Sequence, residues 1–475
     1  MIFFLARLVL AASFAVGALA PALAQVSPDC GKKPEASTET GFWERDRLAG
    51  DWGGARQRLQ DAGIVLGLTD QNEFWANMSG GARRGVSYVG LTTMGLTIDP
   101  AKATDPSKAI GWQGMCIFVS AYQIRGRGPS SNLVGALQAV SSLEATRATR
   151  LYDLWLEQSL FDGAFSVRLG QGGANTEFML TQYGGLFVNS TFGFPMLAAL
   201  DLPSGAPNYP LATPFVRLKW SPNKTLTLLG AVFNGDPAGP GTNDPQLRNG
   251  SGTLFRTNDG ALVVIEAQIS LSLPLPAGDL PGTYKLGGWV HTGRFNDQAF
   301  DRSGISLAAP GSDGVARRHG GNQGIYGGFD QLIWRPAGTK EDDPRGIGLF
   351  AMLTSAPTDR NLIDFSANAG ANWKGPFAGR EADSFGIAVA YAHVSPRAQR
   401  LGQDAVLFTG TGQRFHATEV VFEATYAAQV AGWWVVQPSL QYVVHPGAGI
   451  PSATSPARRH LPDAAVFGLR SSIAF

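Results

Sequence analysis

The chain has 475 residues, 44% hydrophobic and 16% charged, and its 38 basic and 37 acidic side chains leave a formal charge of +1. That balance lacks the basic footprint of a nucleic-acid binder and suits a neutral solute. Past the N-terminal segment no run of about 18 uncharged apolar residues occurs, so a chain crossing a membrane by helices is excluded.

The N-terminal segment reads as a secretory signal. Met1 to Arg7 carries a positive charge, Leu8 to Ala20 is apolar, and Ala22-Leu23-Ala24 supplies the small residues a signal peptidase needs, which predicts a signal peptide over 1–24. Pro28 and Asp29 precede Cys30, so there is no lipoprotein box and no acyl anchor is expected. Residues 25–47 open on a stretch rich in Pro, Lys, Glu and Ser and read as a flexible leader. Residues 48–63 read as a short amphipathic helix at a periplasmic mouth. Asp51 can cap it, Trp52, Ala55 and Leu59 share one stripe, and Gly63 suits a left-handed C-terminal cap.

From Ile64 the apolar period becomes two. Candidate strands cover 64–72, 88–98, 115–124, 151–159, 165–171, 215–220, 225–233, 263–273, 284–292, 325–334, 347–353, 385–393, 419–430, 434–445 and 466–475. Bacterial single-chain barrels have an even strand number, so about 16 are expected, with one weak strand missing, within Phe187 to Leu200 or Ala405 to Gly410. The last stretch says what covers the apolar side: Phe467, Leu469, Ile473 and Phe475 share one parity, Gly468, Arg470 and Ser472 the other. In water that apolar face needs a second protein layer, whereas in an outer membrane hydrocarbon covers it and the other face meets a wet lumen.

The expected fold is therefore all-β: a transmembrane antiparallel β-barrel over 64–475 with a short N-terminal periplasmic helix, in the outer membrane of a Gram-negative bacterium. Closure follows because unsatisfied backbone groups at an open edge cannot persist in hydrocarbon. Phe475 is the residue expected to present the last strand to the barrel-assembly machinery. The two cysteines, Cys30 and Cys116, could be bridged in an oxidising periplasm or remain thiols, and sequence leaves both open.

Parity assigns faces. In 151–159, Tyr152, Leu154 and Leu156 take the lipid side and Asp153, Trp155 and Glu157 the lumen. A tryptophan between carboxylates is a candidate sugar platform, since its flat face can stack on a pyranose while carboxylates accept from hydroxyls; packing against an infolded loop is the alternative. The same logic turns Arg168, Arg217, Lys219, Glu266, Lys285, Trp289, His291, Glu423, Gln437, Gln441 and Arg470 inward, with basic and acidic groups facing each other across the lumen. Glu144, Arg147 and Arg150, just ahead of a strand, are candidates for a constriction segment, with a solvated rim as the other reading.

Several long words resemble the carbohydrate-selective porin family, the OprB type. They are Leu48-Ala49-Gly50-Asp51-Trp52-Gly53-Gly54-Ala55-Arg56; Thr149-Arg150-Leu151-Tyr152-Asp153-Leu154-Trp155-Leu156-Glu157-Gln158; and Thr176-Glu177-Phe178 followed by Leu186-Phe187-Val188-Asn189-Ser190-Thr191-Phe192-Gly193-Phe194-Pro195. The resemblance implies a barrel of about 16 strands, a channel narrowed by inward-folded loops, passive uptake of monosaccharides such as glucose, contact with outer-membrane lipid, and a monomeric protein. Phe194 departs from the family pattern, where tryptophan is commoner, and a solute-facing ring there would alter sugar preference.

No catalytic motif stands out. There is no G-x-S-x-G elbow, no H-E-x-x-H and no phosphate loop, and the six histidines are scattered. No catalytic residue, metal or cofactor is assigned. A general, polyol or organic-acid pore remains the nearer alternative, and a secreted soluble β-rich sugar binder or hydrolase the more distant one.

Overall fold

The computed structural model describes residues 41–103, 113–276, 278–340, 343–410, 416–449 and 460–475. The signal segment 1–24 and Cys30 lie outside the described residues, while Cys116 is disulfide-bonded. The alternating pattern from Ile64 onward forms sixteen strands. They are β1 Ile64–Ser79, β2 Gly85–Ile98, β3 Met115–Gly126, β4 Ala148–Leu160, β5 Phe165–Gly172, β6 Thr213–Trp220, β7 Leu226–Asn234, β8 Ala261–Leu275, β9 Gly278–Asp301, β10 Ala316–Trp334, β11 Gly346–Ser355, β12 Ile363–Lys374, β13 Ser384–Val394, β14 Thr418–Ala431, β15 Trp434–Val444 and β16 Ala464–Ala474.

Each strand pairs antiparallel with its sequence neighbours, and β16 returns to β1, closing the barrel. No described helix is long and apolar enough to cross a membrane. Leu286 and Ile325 are 70% and 68% exposed on the outer wall, as a lipid-facing belt requires. Phe467 and Leu469 also point outward, and Gly468, Arg470 and Ser472 inward, as their parity predicts.

The sixteenth strand is β12, not a segment within 187–200 or 405–410. Its outward positions include Ala367, Ala369 and Ala371, too weakly apolar to register as a lipid-facing alternation. Residues 187–200 instead carry short helical turns and the helix Met196–Asp201, and 405–410 ends the helix Pro396–Thr409.

The segment leading into β1 and the C-terminus share one mouth: the Phe475 amide donates to Leu68 O and that of Leu48 to Ala474 O. The expected helix is shorter than 48–63, running over Ala55–Asp61. Trp52 lies outside it, in a left-handed turn at φ 55°, because successive glycines at 53 and 54 hold the chain in that region. The Asp51 carboxylate still accepts the Gln57 amide in the first turn, and Gly63 takes the left-handed conformation expected. Residues 41–47, read as leader, are held to the β14–β15 turn: Trp433 Nε1 donates to Phe42 O, and the Phe42 and Trp43 rings lie against the Trp433 indole.

At this mouth several connections are short, as at 161–164 and 432–433, whereas the opposite, extracellular end carries longer loops. Two of those, 127–147 and 173–212, turn into the barrel. Val134, Val140, Leu186, Val188 and Leu197 in them are almost wholly buried.

Candidate functional site

A loop backbone inside a barrel must find partners for its N–H and C=O groups, and here the inward side chains of the wall supply them. Glu423 of β14 accepts from the amides of Val188 (2.8 Å) and Asn189 (3.0 Å). Glu419, four residues nearer the extracellular end of β14, accepts from Leu137 (2.9 Å) and Gln138 (2.7 Å). Glu266 takes the Met179 amide at 3.0 Å and Asp330 the Tyr183 amide at 2.9 Å. Wall donors meet the loop carbonyls: Gln437 to Leu186 O (2.7 Å), Gln441 to Val140 O (2.8 Å) and Lys285 Nζ to Leu180 O (2.6 Å). Carboxylates on consecutive amides, and amide or ammonium groups on carbonyls, fix the infolded segments along much of the wall.

Space is made by glycine. A Cβ on Gly348 would sit 2.2 Å from Tyr183 Cζ, and one on Gly386 2.7 Å from a Leu186 methyl, so the infolded chain lies directly on the backbone of β11 and β13.

Glu423, Glu266, Gln437, Gln441 and Lys285 thus all point inward as parity predicts, and each holds loop backbone. Trp289 is 3% exposed, part of the apolar cluster that includes Phe178 and Phe194. His291 Nε2 donates to Gly235 O and Nδ1 accepts the Gly293 amide, so its ring is committed to the 235–260 loop. Arg470 pairs with Glu73 and donates to Ser142 Oγ at 2.8 Å. Phe194 is buried in the apolar cluster and does not face solute.

Three of the charges read as facing one another across the lumen, Glu157, Arg168 and Arg217, are instead in contact. Glu157 on β4, Arg168 on β5 and Arg217 on β6 lie in one register row of adjacent strands, and Glu177 of the infolded 173–212 segment closes the set. Glu157 Oε2 lies 2.6 Å from both arginines, and Glu177 reaches Arg168 at 2.7 Å and Arg217 at 2.6 Å. The Arg168 guanidinium lies 3.9 Å from the Trp155 ring centre, and Trp155 is only 5% exposed. One face of that indole is therefore covered by a cation. Glu157, Arg168 and Glu177 keep partial exposure to the bore, Lys219 is exposed beside them, and a second pair, Lys285 with Asp330, borders the same infolded segment. Glu177, Asp330, Glu73 and Glu419 escaped the sequence reading of the site: Glu177 lies on a segment with no strand parity, and Asp330 sits in a glycine-rich strand.

Tyr152 corrects the parity reading. It is 1% exposed and its hydroxyl donates to Asn175 Oδ1 at 2.6 Å, inside the barrel. A register shift between Val119 and Ala121 of β3, against Leu154 and Leu151 of β4, inserts an extra residue, so parity inverts above Asp153. Asp153 itself faces in and accepts from Ser120 Oγ at 2.7 Å.

Of the three candidates for a constriction segment, Glu144 accepts the Ser130 amide at 3.0 Å and its hydroxyl at 2.8 Å, bracing the 127–147 loop against itself. Burial pushes its carboxyl up to about 8, opposed by the Ser130 hydrogen bonds. Arg150 is buried and donates to Gln246 O and Pro210 O, tying neighbouring loops. Arg147 is exposed on the extracellular side.

Comparison with known proteins agrees with this architecture. Residues 103–475 match the profile of the carbohydrate-selective porin family OprB. Porin B of Pseudomonas aeruginosa is 28% identical over 421 residues, 84% of this chain and 87% of that protein. The high-pH structure of Pseudomonas putida OprB superposes with a TM-score of 0.78 at 24% identity, over 92% of this chain and 100% of that one. The low-pH structure of the same protein gives 0.53 at 19% identity, over 91% and 99%. At those identities the two structures establish the fold.

Proposed function

This chain belongs to the carbohydrate-selective porin family OprB, and from that premise we propose that monosaccharides such as glucose cross it passively, past the infolded 173–212 segment at the Glu157–Arg168–Arg217–Glu177 cluster. It is a sugar-selective porin of the Gram-negative outer membrane. The observation that carries the finer reading is the charge-balanced cluster itself. Two arginines and two carboxylates neutralise one another, and three of the four still reach the bore. A ring of fixed, mutually compensated donors and acceptors offers exchangeable hydrogen bonds to hydroxyls without a net field that would draw or repel ions.

In this reading Arg168 and Glu177 are the groups a sugar meets, Arg217 and Trp155 hold them, Glu266 and Glu423 fix the 173–212 segment that narrows the passage, and Arg470 fixes the 127–147 loop. Contacts stay weak, since a tightly held solute would block conduction, and the conduit performs no catalytic step. The segment 1–24 serves as the export signal, and Phe475 engages the barrel-assembly machinery.

Liposome swelling with glucose, sucrose and a charged solute of glucose size tests the proposal. Faster entry of glucose than of the charged solute is expected, and equal rates for the two would overturn it.

A further inference from the structure

The extracellular ends of β1–β3 present arginines on the side of the wall that faces lipid. On β2 the outward parity is that of Met94, Tyr88 and Val86, and Arg84, just ahead of the strand, continues it. On β3 the outward parity brings Gln123 and Arg125 to the same face. Arg127, two residues further on, lies opposite Tyr88, and its amide donates to Tyr88 O at 2.7 Å. Residues opposite one another on paired strands share a face, so Arg127 stands beside the Tyr88 ring, which in turn packs 5.3 Å from the exposed ring of Phe74 on β1.

Arg125 is already neutralised. Its Nη2 lies 2.7 Å from Asp70 Oδ1 and 3.3 Å from Asn72 Oδ1, the Asn72 amide donates to Asp70 Oδ2 at 2.6 Å, and the Tyr88 hydroxyl donates to Asn72 Oδ1 at 2.6 Å. Arg84 and Arg127 differ: both are exposed, and among the described residues neither side chain makes a hydrogen bond or an ion pair. They stand beside large apolar side chains that nothing in the chain covers, Val86 at 83% exposed, Phe74 and Met78. Two uncompensated cations next to an apolar surface, at the level where the barrel leaves hydrocarbon, match an anionic headgroup with acyl chains attached.

We propose that this rim binds the phosphorylated glycolipid of the outer leaflet, lipopolysaccharide, with Arg84 and Arg127 each taking a phosphate. The guanidinium fork matches phosphate oxygens two at a time, which a lysine cannot do. Arg84 lies four residues beyond Tyr88, roughly 13 Å from the Arg127 row at strand spacing, which suits a headgroup with two separated phosphates better than the single phosphodiester of a phospholipid. Acyl chains cover Val86 and Phe74, which a free anion would leave bare. One row nearer the periplasm, Gln123 and the Asp70–Arg125 network supply donors and acceptors at the depth of the amide and ester linkages between headgroup and chains, and so have a polar partner on a wall that otherwise meets hydrocarbon.

The test uses the full chain in phosphatidylcholine nanodiscs, with either rough lipopolysaccharide or the same glycolipid after phosphatase treatment, and native mass spectrometry as the readout of glycolipid retained per chain. The phosphorylated form should be retained and the dephosphorylated form lost. Arg84→Gln with Arg127→Gln should lower retention roughly tenfold while glucose entry in liposomes is unchanged. Arg317→Gln with Arg318→Gln, which removes two exposed arginines from the β9–β10 hairpin, should retain the glycolipid as the unmodified chain does. Equal retention of the two glycolipids, or equal losses from the two double variants, overturns the proposal. So does displacement of lipopolysaccharide by inorganic phosphate beyond that caused by chloride of the same ionic strength, which would make the rim a site for a free anion. If the Arg84 and Arg127 variant fails to fold, the two glycolipids compared on the unmodified chain still decide.

Discussion

Arg470 of β16 meets Glu73 of β1 at 2.5 Å across the seam that closes the barrel, and both side chains are almost wholly buried. Glu73 also accepts Trp75 Nε1 at 2.8 Å and the Ser141 hydroxyl, and Arg470 reaches Ser142, so the seam and the infolded 127–147 loop share one hydrogen-bonded unit. The closing strands and the infolded 127–147 loop are therefore stabilised together.

Removing the cation alone strands a buried carboxylate. Arg470→Met should destabilise the barrel by about 3–5 kcal/mol, and adding Glu73→Gln should recover part of that loss. The readout is the temperature at which the compact band on an unheated detergent gel converts to the unfolded one. A single variant that converts with wild type would show the seam pair to be dispensable.

Glu423→Ala leaves the Val188 and Asn189 amides buried without an acceptor, about 1–3 kcal/mol each. The 173–212 segment should loosen there, raising single-channel conductance and admitting sucrose that the native channel retards. Unchanged conductance would mean that the remaining wall contacts suffice.

Gly348 has no room for a side chain beneath Tyr183. Gly348→Val should overpack that contact by about 1–3 kcal/mol, displace the tyrosine toward the bore and slow glucose swelling, while Gly311→Val, in an exposed turn with open space around it, should not. Equal rates for the two variants would exclude Tyr183 from the passage.

The charge cluster predicts an ionic signature. Arg217→Met leaves Glu157 and Glu177 sharing Arg168 alone, so the reversal potential in a salt gradient should move toward cation preference. The same variant should lower stability by about 3–5 kcal/mol, because Arg217 is the most buried of the four. A reversal potential identical to wild type would remove this cluster from the conduction path.

Asp201 predicts a pH dependence. Its carboxyl accepts the amides of Leu362 (2.6 Å) and Ile363 (3.2 Å), fastening the infolded helix Met196–Asp201 to the start of β12. Burial pushes it from 3.8 up to about 8, against the lowering effect of those two amides. The folded chain thus keeps a proton that the unfolded chain sheds. This contribution to stability is full below pH 3.8 and is lost as pH rises through about 8. Unfolding temperatures compared across that window should fall with pH, and Asp201→Asn should flatten the slope; a slope unaffected by the substitution would assign it to another group.

The barrel was legible because lipid acts on every outward residue separately: one alternation per strand, repeated along the chain, needs no knowledge of neighbours. The strand that escaped, β12, puts alanines where others put leucine or phenylalanine. The site was legible by face and not by role. Glu266, Glu423, Gln437 and Gln441 point inward as alternation requires, yet what they touch is backbone from residues far away in sequence, and no local pattern announces that.

Tyr152 marks the boundary between the two kinds of information. Its sequence context predicts the lipid face, and the extra residue between its row and that of Leu154 turns it in, because register depends on how two strands meet and not on either alone. The sequence by itself determined that a closed wall shows apolar side chains to lipid and polar ones to its interior. Only the tertiary structure decided which interior groups hold the infolded segments and which stay open to solute, since a buried peptide group must find its partner in three dimensions.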